Sequence, residues 1–447
     1  MIWISNISYD CNKYYIKQKI VNYFSLYIHL IMVITTCVSR TLWTLSFLVL
    51  TMTVTFCAHA QHVKVLPGKI NAKMVDVLEC PNKIMGQSVL QIPGYFVWGG
   101  SVVKGHDGKY HMLFSIWESG MEGGSFVKDW VLQSKIGYAV SDYPDRDFKF
   151  KKVVLKGRRY QGGHSSWDAQ MVHNPHLKKF DGKYYLYYIG GKDPGKQPKG
   201  SKAENLDHRG RVQQSLCIGV LEFDSFEKLL AGNFDRPKRP LLSPRTRVKP
   251  NNILDGSPIG TEAKPDNIIV VNPSVVYNPS TQKYMLYFKG NVYEPHWKGV
   301  NGVAIGDTPK GPFKPLDVFV FDVRMPDGSL ASTEDPYVWY SKKIQQYMAI
   351  VKDFSGRLTG YKKTLALLSS KDGISWNLTT NPLFMKRELR LLDGSLIEVD
   401  RLERPQLLLT EDGIPQYLYA AAALENVNSK NDGSSFNVQI PLQVVVE

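Results

Sequence analysis

Eleven polar or aromatic residues stand at the heads of five apolar segments, and their types suit proton transfer and sugar recognition. Trp98 and Ser101 head the first segment; Trp167, Asp168, His173 and Asn174 the second; Asn272 the third; Glu334 and Asp335 the fourth; Glu403 and Arg404 the fifth. Polar side chains beside buried apolar strands are costly unless they are paired or face a cavity. Carboxylates accept hydroxyl hydrogens and move protons, and two of them flanking a glycosidic bond suffice for its hydrolysis. A separation of about 5–5.5 Å between the two implies retention of configuration, and about 6.5–9.5 Å implies inversion. Aromatic faces add flat apolar platforms. No Cys/His cluster has structural zinc spacing.

Residues this far apart in sequence can act together only if the fold gathers them, and a repeated phrase supplies the means. A short X-Pro element leads into a strand, and about ten residues later an aromatic strand follows. The aromatic strands are GKYHMLFSIW (108–117), GKYYLYYIGG (182–191), QKYMLYFKGN (282–291), QQYMAIVKDF (345–354) and PQYLYAAAAL (415–424). Repetition at long spacing marks a ring of small sheets. Five copies predict an all-β, five-bladed β-propeller, with the blade openings converging on a central funnel. Alternation in KYYLYYIG and KYMLYFKG reads as half-buried strands, and the Gly-containing tips at 107–108, 181–182 and 372–373 read as hairpin turns.

The chain has 447 residues, 43% hydrophobic and 12% aromatic, ample for such a core. Residues 1–60 read as an upstream extension and a secretory signal: Arg40, the apolar run 42–57, then Ala58-His59-Ala60, with cleavage before Gln61. The rival for that segment is an uncleaved membrane anchor. Residues 61–84 form a lead-in and 85–447 the catalytic domain, placing the protein outside the cell or in a periplasm. The ring is expected to close in one of two ways: strand 437–446 pairs with blade one, or residues 61–90 complete blade five. The net charge is +14, concentrated in the stretches 192–211 and 236–249. These read as solvated loops or as an attractor for a polyanion such as an acidic or sulfated glycan, with no nucleic-acid motif present. Cys80 and Cys217 follow the signal, and their spacing supports no disulfide.

The order of openings, with WGGSVVKGHDGKYHMLFSIW, MVHNPHLKKFDGKYYLYYIG, TEDPYVWY and LERPQLLL, resembles glycoside hydrolase family 43 and its five-bladed furanosidase-type relatives. The resemblance spans nearly the whole mature chain. It implies a general acid at Glu334, within the blade-four Glu-x-Pro element Glu334-Asp335-Pro336. It also implies a base Asp in the blade-one opening, where this chain has Trp98-Gly99-Gly100, and a tuning Asp in blade three, where it has Asn272. Asp168, in its Trp-Asp pair, is then the first replacement base and Glu403 the second, although Glu403-Arg404 also reads as an ion pair that positions substrate. Trp98, Ser101, Trp167, His173, Asn174, Asn272, Asp335 and Arg404 are expected to bind substrate.

These readings lead to an exo-acting glycosidase that removes a terminal sugar from a plant or algal polysaccharide fragment. No organic cofactor is expected, and a structural calcium or sodium ion at the ring axis is compatible with the fold. The rivals are a non-catalytic carbohydrate-binding propeller, a phosphate-dependent glycoside phosphorylase, and a polyanion-binding surface protein.

Overall fold

The computed structural model describes residues 63–70, 87–119, 125–197, 199, 203–245, 264–292, 298–323, 331–424 and 435–446. The sequence divides between Gln61 and His62 into two compact units. The first unit, with the apolar run and the expected cleavage site, lies outside the described residues, as does Cys80.

Five antiparallel sheets follow one another along the second unit. Blade one comprises Tyr95–Lys104, Tyr110–Glu118, Lys135–Ser141 and Lys149–Leu155. Blade two has Met171–Phe180, Lys183–Gly191 and Cys217–Phe223, with Leu242 bridged to Ile218 on its outer edge. Blade three runs Val271–Asn278, Lys283–Val292, Lys298–Gly306 and Phe313–Pro315, and blade four Thr333–Ser341, Gln346–Asp353, Thr364–Ser370 and Asn377–Met385. Blade five holds Arg401–Leu409, Pro415–Ala423 and Ser435–Val446. The first strand of each blade touches the first strand of the next, and that of blade five returns to that of blade one, so the ring is closed.

Closure uses the second of the two expected routes. Val63–Pro67 pairs antiparallel with Ser435–Val446, from Lys64 opposite Val445 to Pro67 opposite Leu442. The segment read as a lead-in is therefore the outermost strand of blade five, where it covers an edge that would otherwise be open to intermolecular pairing. Val89–Leu90 adds a short pairing to the same strand.

The aromatic strands are buried on both faces, contrary to the half-buried reading. Tyr184 to Ile189 are all 6% exposed or less. Each blade is sandwiched between two neighbours, so alternate side chains enter different inter-blade cores. Tyr184, Leu186 and Tyr188 pack toward Leu113, Ile136 and Tyr138 of blade one. Tyr185 and Tyr187 pack toward Val275, Leu286 and Phe288 of blade three. The alternation in sequence thus reports two apolar destinations. At the outer tip, Asp181 and Gly182 both take left-handed backbone (φ 48° and 78°) between the paired Phe180 and Lys183, the geometry of a type I′ hairpin turn.

One irregularity recurs in all five first strands. Pairing to the second strand slips by one residue, two residues facing one, between Trp98 and Ser101, His173 and His176, Val271 and Ser274, Glu334 and Tyr337, and Glu403 and Gln406. In four blades the inserted dipeptide is X-Pro, and X is left-handed: Asn174 (φ 50°), Asn272 (55°), Asp335 (53°) and Arg404 (52°). Proline lacks the N–H that a ladder needs and bars right-handed helical backbone from the residue before it. Asn and Asp tolerate left-handed backbone, whereas for Arg404 it is strained by about 1–2 kcal/mol. Blade one makes the same bulge with Gly99 (φ 62°) and Gly100. A bulge re-aims a side chain, and here it turns the X residue of each blade into the ring's interior.

Candidate active site

The re-aimed residues form a directed chain of hydrogen bonds. Asn174 Nδ2 donates to Asn272 Oδ1 (2.8 Å), and Asn272 Nδ2 donates to Asp335 Oδ1 (2.7 Å). Asp335 Oδ2 accepts from the backbone N–H of Arg404 (3.2 Å), whose guanidinium lies 3.7 Å from Asp335 Oδ1. Because Asp335 can only accept, it fixes both amide orientations. Two residues further along each strand is a second, fully buried layer. There His176 Nδ1 and Ser101 Oγ both donate to Gln406 Oε1 (2.8 and 3.1 Å), and the Val275 N–H donates to His176 Nε2 (2.9 Å).

Above these bonded residues lies a cavity of about 280 Å³. Its lining includes the residue before each bulge, namely Trp98, His173, Val271, Glu334 and Glu403 in blade order. In pairing register these face Ser115, Ile189, Lys289, Lys352 and Ala421 on the second strands. The cavity consequently has two unlike walls.

The aromatic wall is built on blade one. A helix, α1 (Phe126–Gln133), interrupts that blade after its second strand and buries Phe126 and Val131. Phe126 packs edge-on to Trp98 (5.0 Å between ring centroids) and against Trp117 (5.4 Å). Trp130 stacks on His173 at 4.5 Å, and Ser134 Oγ lies 2.8 Å from His173 Nδ1. Burial, with a smaller contribution from the Arg404 charge, holds His173 well below the ordinary imidazole pKa, so the ring is neutral at pH 7.

The opposite wall is charged. Lys352 Nζ lies 2.5 Å from Glu403 Oε1 and 3.6 Å from Glu334 Oε2. Lys289 binds Glu334 Oε1 directly, and Arg401 NH1 lies 3.6 Å from Glu403. Burial is the main cause holding the Lys289 ammonium below its usual pKa, seconded by the Lys352 charge and opposed by Asp335 and Glu403. With both carboxylates in contact with one nitrogen, at 3.6 and 2.5 Å, those two oxygens are at most about 6.1 Å apart. Even this upper bound falls short of the ~6.5–9.5 Å that admits a water, which favours double displacement.

Of the residues singled out in the sequence, Trp98, His173, Asn174, Asn272, Glu334, Asp335, Glu403 and Arg404 line this cavity. Three do not. Asp168 is fully buried outside it, accepting from Tyr188 Oη (2.9 Å) and Arg236 Nε (2.9 Å) and ion-paired with Arg158 Nε (3.3 Å). It precedes the strand Met171–Phe180 by three residues, in a turn that directs its side chain between blades, so it cannot serve as the base in this cavity. Trp167 donates to the Pro237 carbonyl (3.2 Å) and stacks on Tyr188 at 5.5 Å, a packing role. Ser101 belongs to the layer beneath.

Lys289 and Lys352 were overlooked in the sequence, together with Arg401, Trp117, Phe126 and Trp130. The two lysines had left a signal: each is the lone charge after an apolar run, in YMLYFK and YMAIVK, at the place where blade two has Ile189. The basic stretches also proved partly internal. Arg211 pairs with Asp193 (2.7 Å), Arg236 with Asp168 (2.9 Å) and Arg245 with Asp266 (2.5 Å). Among the described residues no group of three or more His, Cys, Asp or Glu is arranged to hold a metal ion. A calcium or sodium ion on the axis would meet the positive charge of Arg404.

No family model matches the sequence, and no curated protein matches it. Solved structures do. The protein is similar to a family 117 glycoside hydrolase from the marine bacterium Zobellia galactanivorans, at 13% identity and a TM-score of 0.50, over 86% of its own length and 91% of that enzyme's. It is similar to BT0996, whose structure is described as a complex with RGII, at 13% identity and a TM-score of 0.51, over 80% of its own length and 90% of the other's. A further glycoside hydrolase shows 13% identity and a TM-score of 0.50, over 79% and 89% of the two lengths. At these identities the likeness establishes a common fold.

Proposed function

We propose that the protein is a secreted or periplasmic glycoside hydrolase that removes a terminal sugar from a polysaccharide fragment. The observation that carries this reading is the pair Glu334 and Glu403, joined through one ammonium and facing an aromatic wall. The glycoside hydrolases among the fold relatives support it. Attack on the end of a glycan is supported by the floor, where Asn174, Asn272, Asp335 and Arg404 are bonded across the axis above a buried layer of Ser101, His176 and Gln406. Secretion rests on the N-terminal sequence alone.

In this reading the Lys289–Glu334 pair holds the reactive proton. Burial weakens the hold of Lys289 on it, so Glu334 can deliver it to the glycosidic oxygen as the bond from that oxygen to the anomeric carbon breaks. Glu403, held in place by Lys352 and Arg401, attacks the anomeric carbon and forms a glycosyl ester. Water, giving its proton to Glu334, then releases the sugar and restores Glu403. Trp98 and Trp130 supply apolar faces for the ring. Asp335 and Arg404 anchor the floor.

The test is a screen of aryl glycosides and of pectic and algal oligosaccharides, with released sugar analysed in the presence and absence of phosphate. Sugar release independent of phosphate supports hydrolysis. Formation of a sugar 1-phosphate points instead to phosphorolysis, and saturable binding without turnover points to a carbohydrate-binding propeller.

A further inference from the structure

The axial chain of hydrogen bonds has four side chains for five blades. Its fifth place belongs to Gly99, where an added Cβ would meet nothing closer than Asn174 Oδ1 at 3.8 Å and Arg404 Cβ at 4.0 Å. Both neighbours of that place carry unspent hydrogen-bonding capacity. Asn174 Oδ1 accepts nothing, and neither terminal nitrogen of Arg404 has an acceptor within hydrogen-bond distance, although the residue is 1% exposed. The amide orientation is not arbitrary, since Asp335 fixes it through Asn272. A guanidinium buried without acceptors is costly, and what satisfies it must bring oxygens.

The carboxylates above do not serve it. Glu334 is held by Lys289 and Lys352, and Glu403 by Lys352 and Arg401.

We propose that the place beside Gly99 is a subsite for the carboxylate of a sugar acid, so that the terminal residue recognised is a uronic acid. The carboxylate oxygens accept from the Arg404 guanidinium, a planar fork suited to them. A hydroxyl adjoining the carboxylate on the same ring donates to Asn174 Oδ1. This inference rests on the reading of the cavity as a sugar site, but it concerns recognition and not turnover.

The test is calorimetric binding at low salt of galacturonate and glucuronate, each against its neutral parent sugar, with galactose 6-sulfate as a further probe. For wild type, one of the two acids is expected to bind at least tenfold more tightly than its parent. In Gly99→Asp the new carboxylate occupies the subsite, and that preference is expected to disappear while neutral-sugar affinity stays within about twofold. The backbone should accept the change, because Asp335 holds the same conformation in blade four; a thermal melt checks that the variant is folded. Should it not fold, the wild-type comparison still decides. Equal binding of acids and neutral sugars, a preference for the sulfate ester, or a preference that survives in Gly99→Asp each overturns the proposal. A uronate preference without any turnover would sink the hydrolase reading and leave this one standing, whereas turnover of neutral sugars without it would do the reverse.

Discussion

Asp168→Asn separates what the sequence suggested from what the fold provides. Asp168 is fully buried; its Oδ2 accepts from the Tyr188 hydroxyl at 2.9 Å and Arg236 Nε at 2.9 Å, and its Oδ1 is ion-paired with Arg158 Nε at 3.3 Å. The side chains of both arginines are themselves largely buried, 11% and 15% exposed. Replacing the carboxylate by an amide leaves two guanidinium groups facing a neutral group that can accept on one side only. Breaking a buried pair from one side costs about 3–5 kcal/mol. At roughly 2–4 °C per kcal/mol, Tm should fall by about 6–20 °C. Once a substrate is in hand, kcat at 25 °C should remain within about threefold of wild type, because neither Asp168 nor its partners Tyr188, Arg236 and Arg158 line the cavity. Thermal unfolding and steady-state kinetics on one preparation give both numbers. A loss of 10³-fold or more in kcat with Tm unchanged would overturn the structural role and restore Asp168 as the base.

Further outcomes follow from the same geometry. Lys289 loses its proton below the ordinary lysine value, so an alkaline limb of kcat assigned to it falls as pH rises through that lowered pKa; Lys289→Arg, which does not titrate there, should move the limb upward in a pH profile. Trp130→Ala removes the ring stacked on His173 and is expected to raise KM by up to about tenfold, the ~0.5–1.5 kcal/mol of an aromatic contact, with a smaller change in kcat. The Glu334–Glu403 spacing predicts a product released with retained anomeric configuration, readable by proton NMR in the first minutes of reaction; inversion would contradict Glu403 as nucleophile.

The fold was legible because the repeated phrase carries strand, turn and bulge together. X-Pro at four of the five openings marked where the first strands begin, whereas the break in pairing and the left-handed backbone that aims Asn174, Asn272, Asp335 and Arg404 at the axis emerged only in three dimensions. Glu334 and Glu403 were found from their place in the phrase. Asp168 was misplaced because its strand starts three residues later than the Trp-Asp pair suggested, and a turn residue's direction is not written in local periodicity. Lys289 and Lys352 were visible as charges in apolar runs, yet their meaning depended on cross-strand register, which sets Lys352 opposite Glu334. Closure by residues 61–90 was one of two routes left open, because the partner of Val63–Pro67 lies at the far end of the sequence.

Whether Glu334 and Glu403 act together on a sugar held in this cavity is tested most directly by comparing kcat and ligand affinity for wild type, Glu334→Gln and Glu403→Gln. The substrate is whichever glycoside the screen identifies. Each variant should lose at least 10³-fold in kcat while sugar affinity changes by less than about tenfold, and the double variant should be scarcely worse than either single one. Turnover within tenfold of wild type in either variant would contradict a shared catalytic role for the pair.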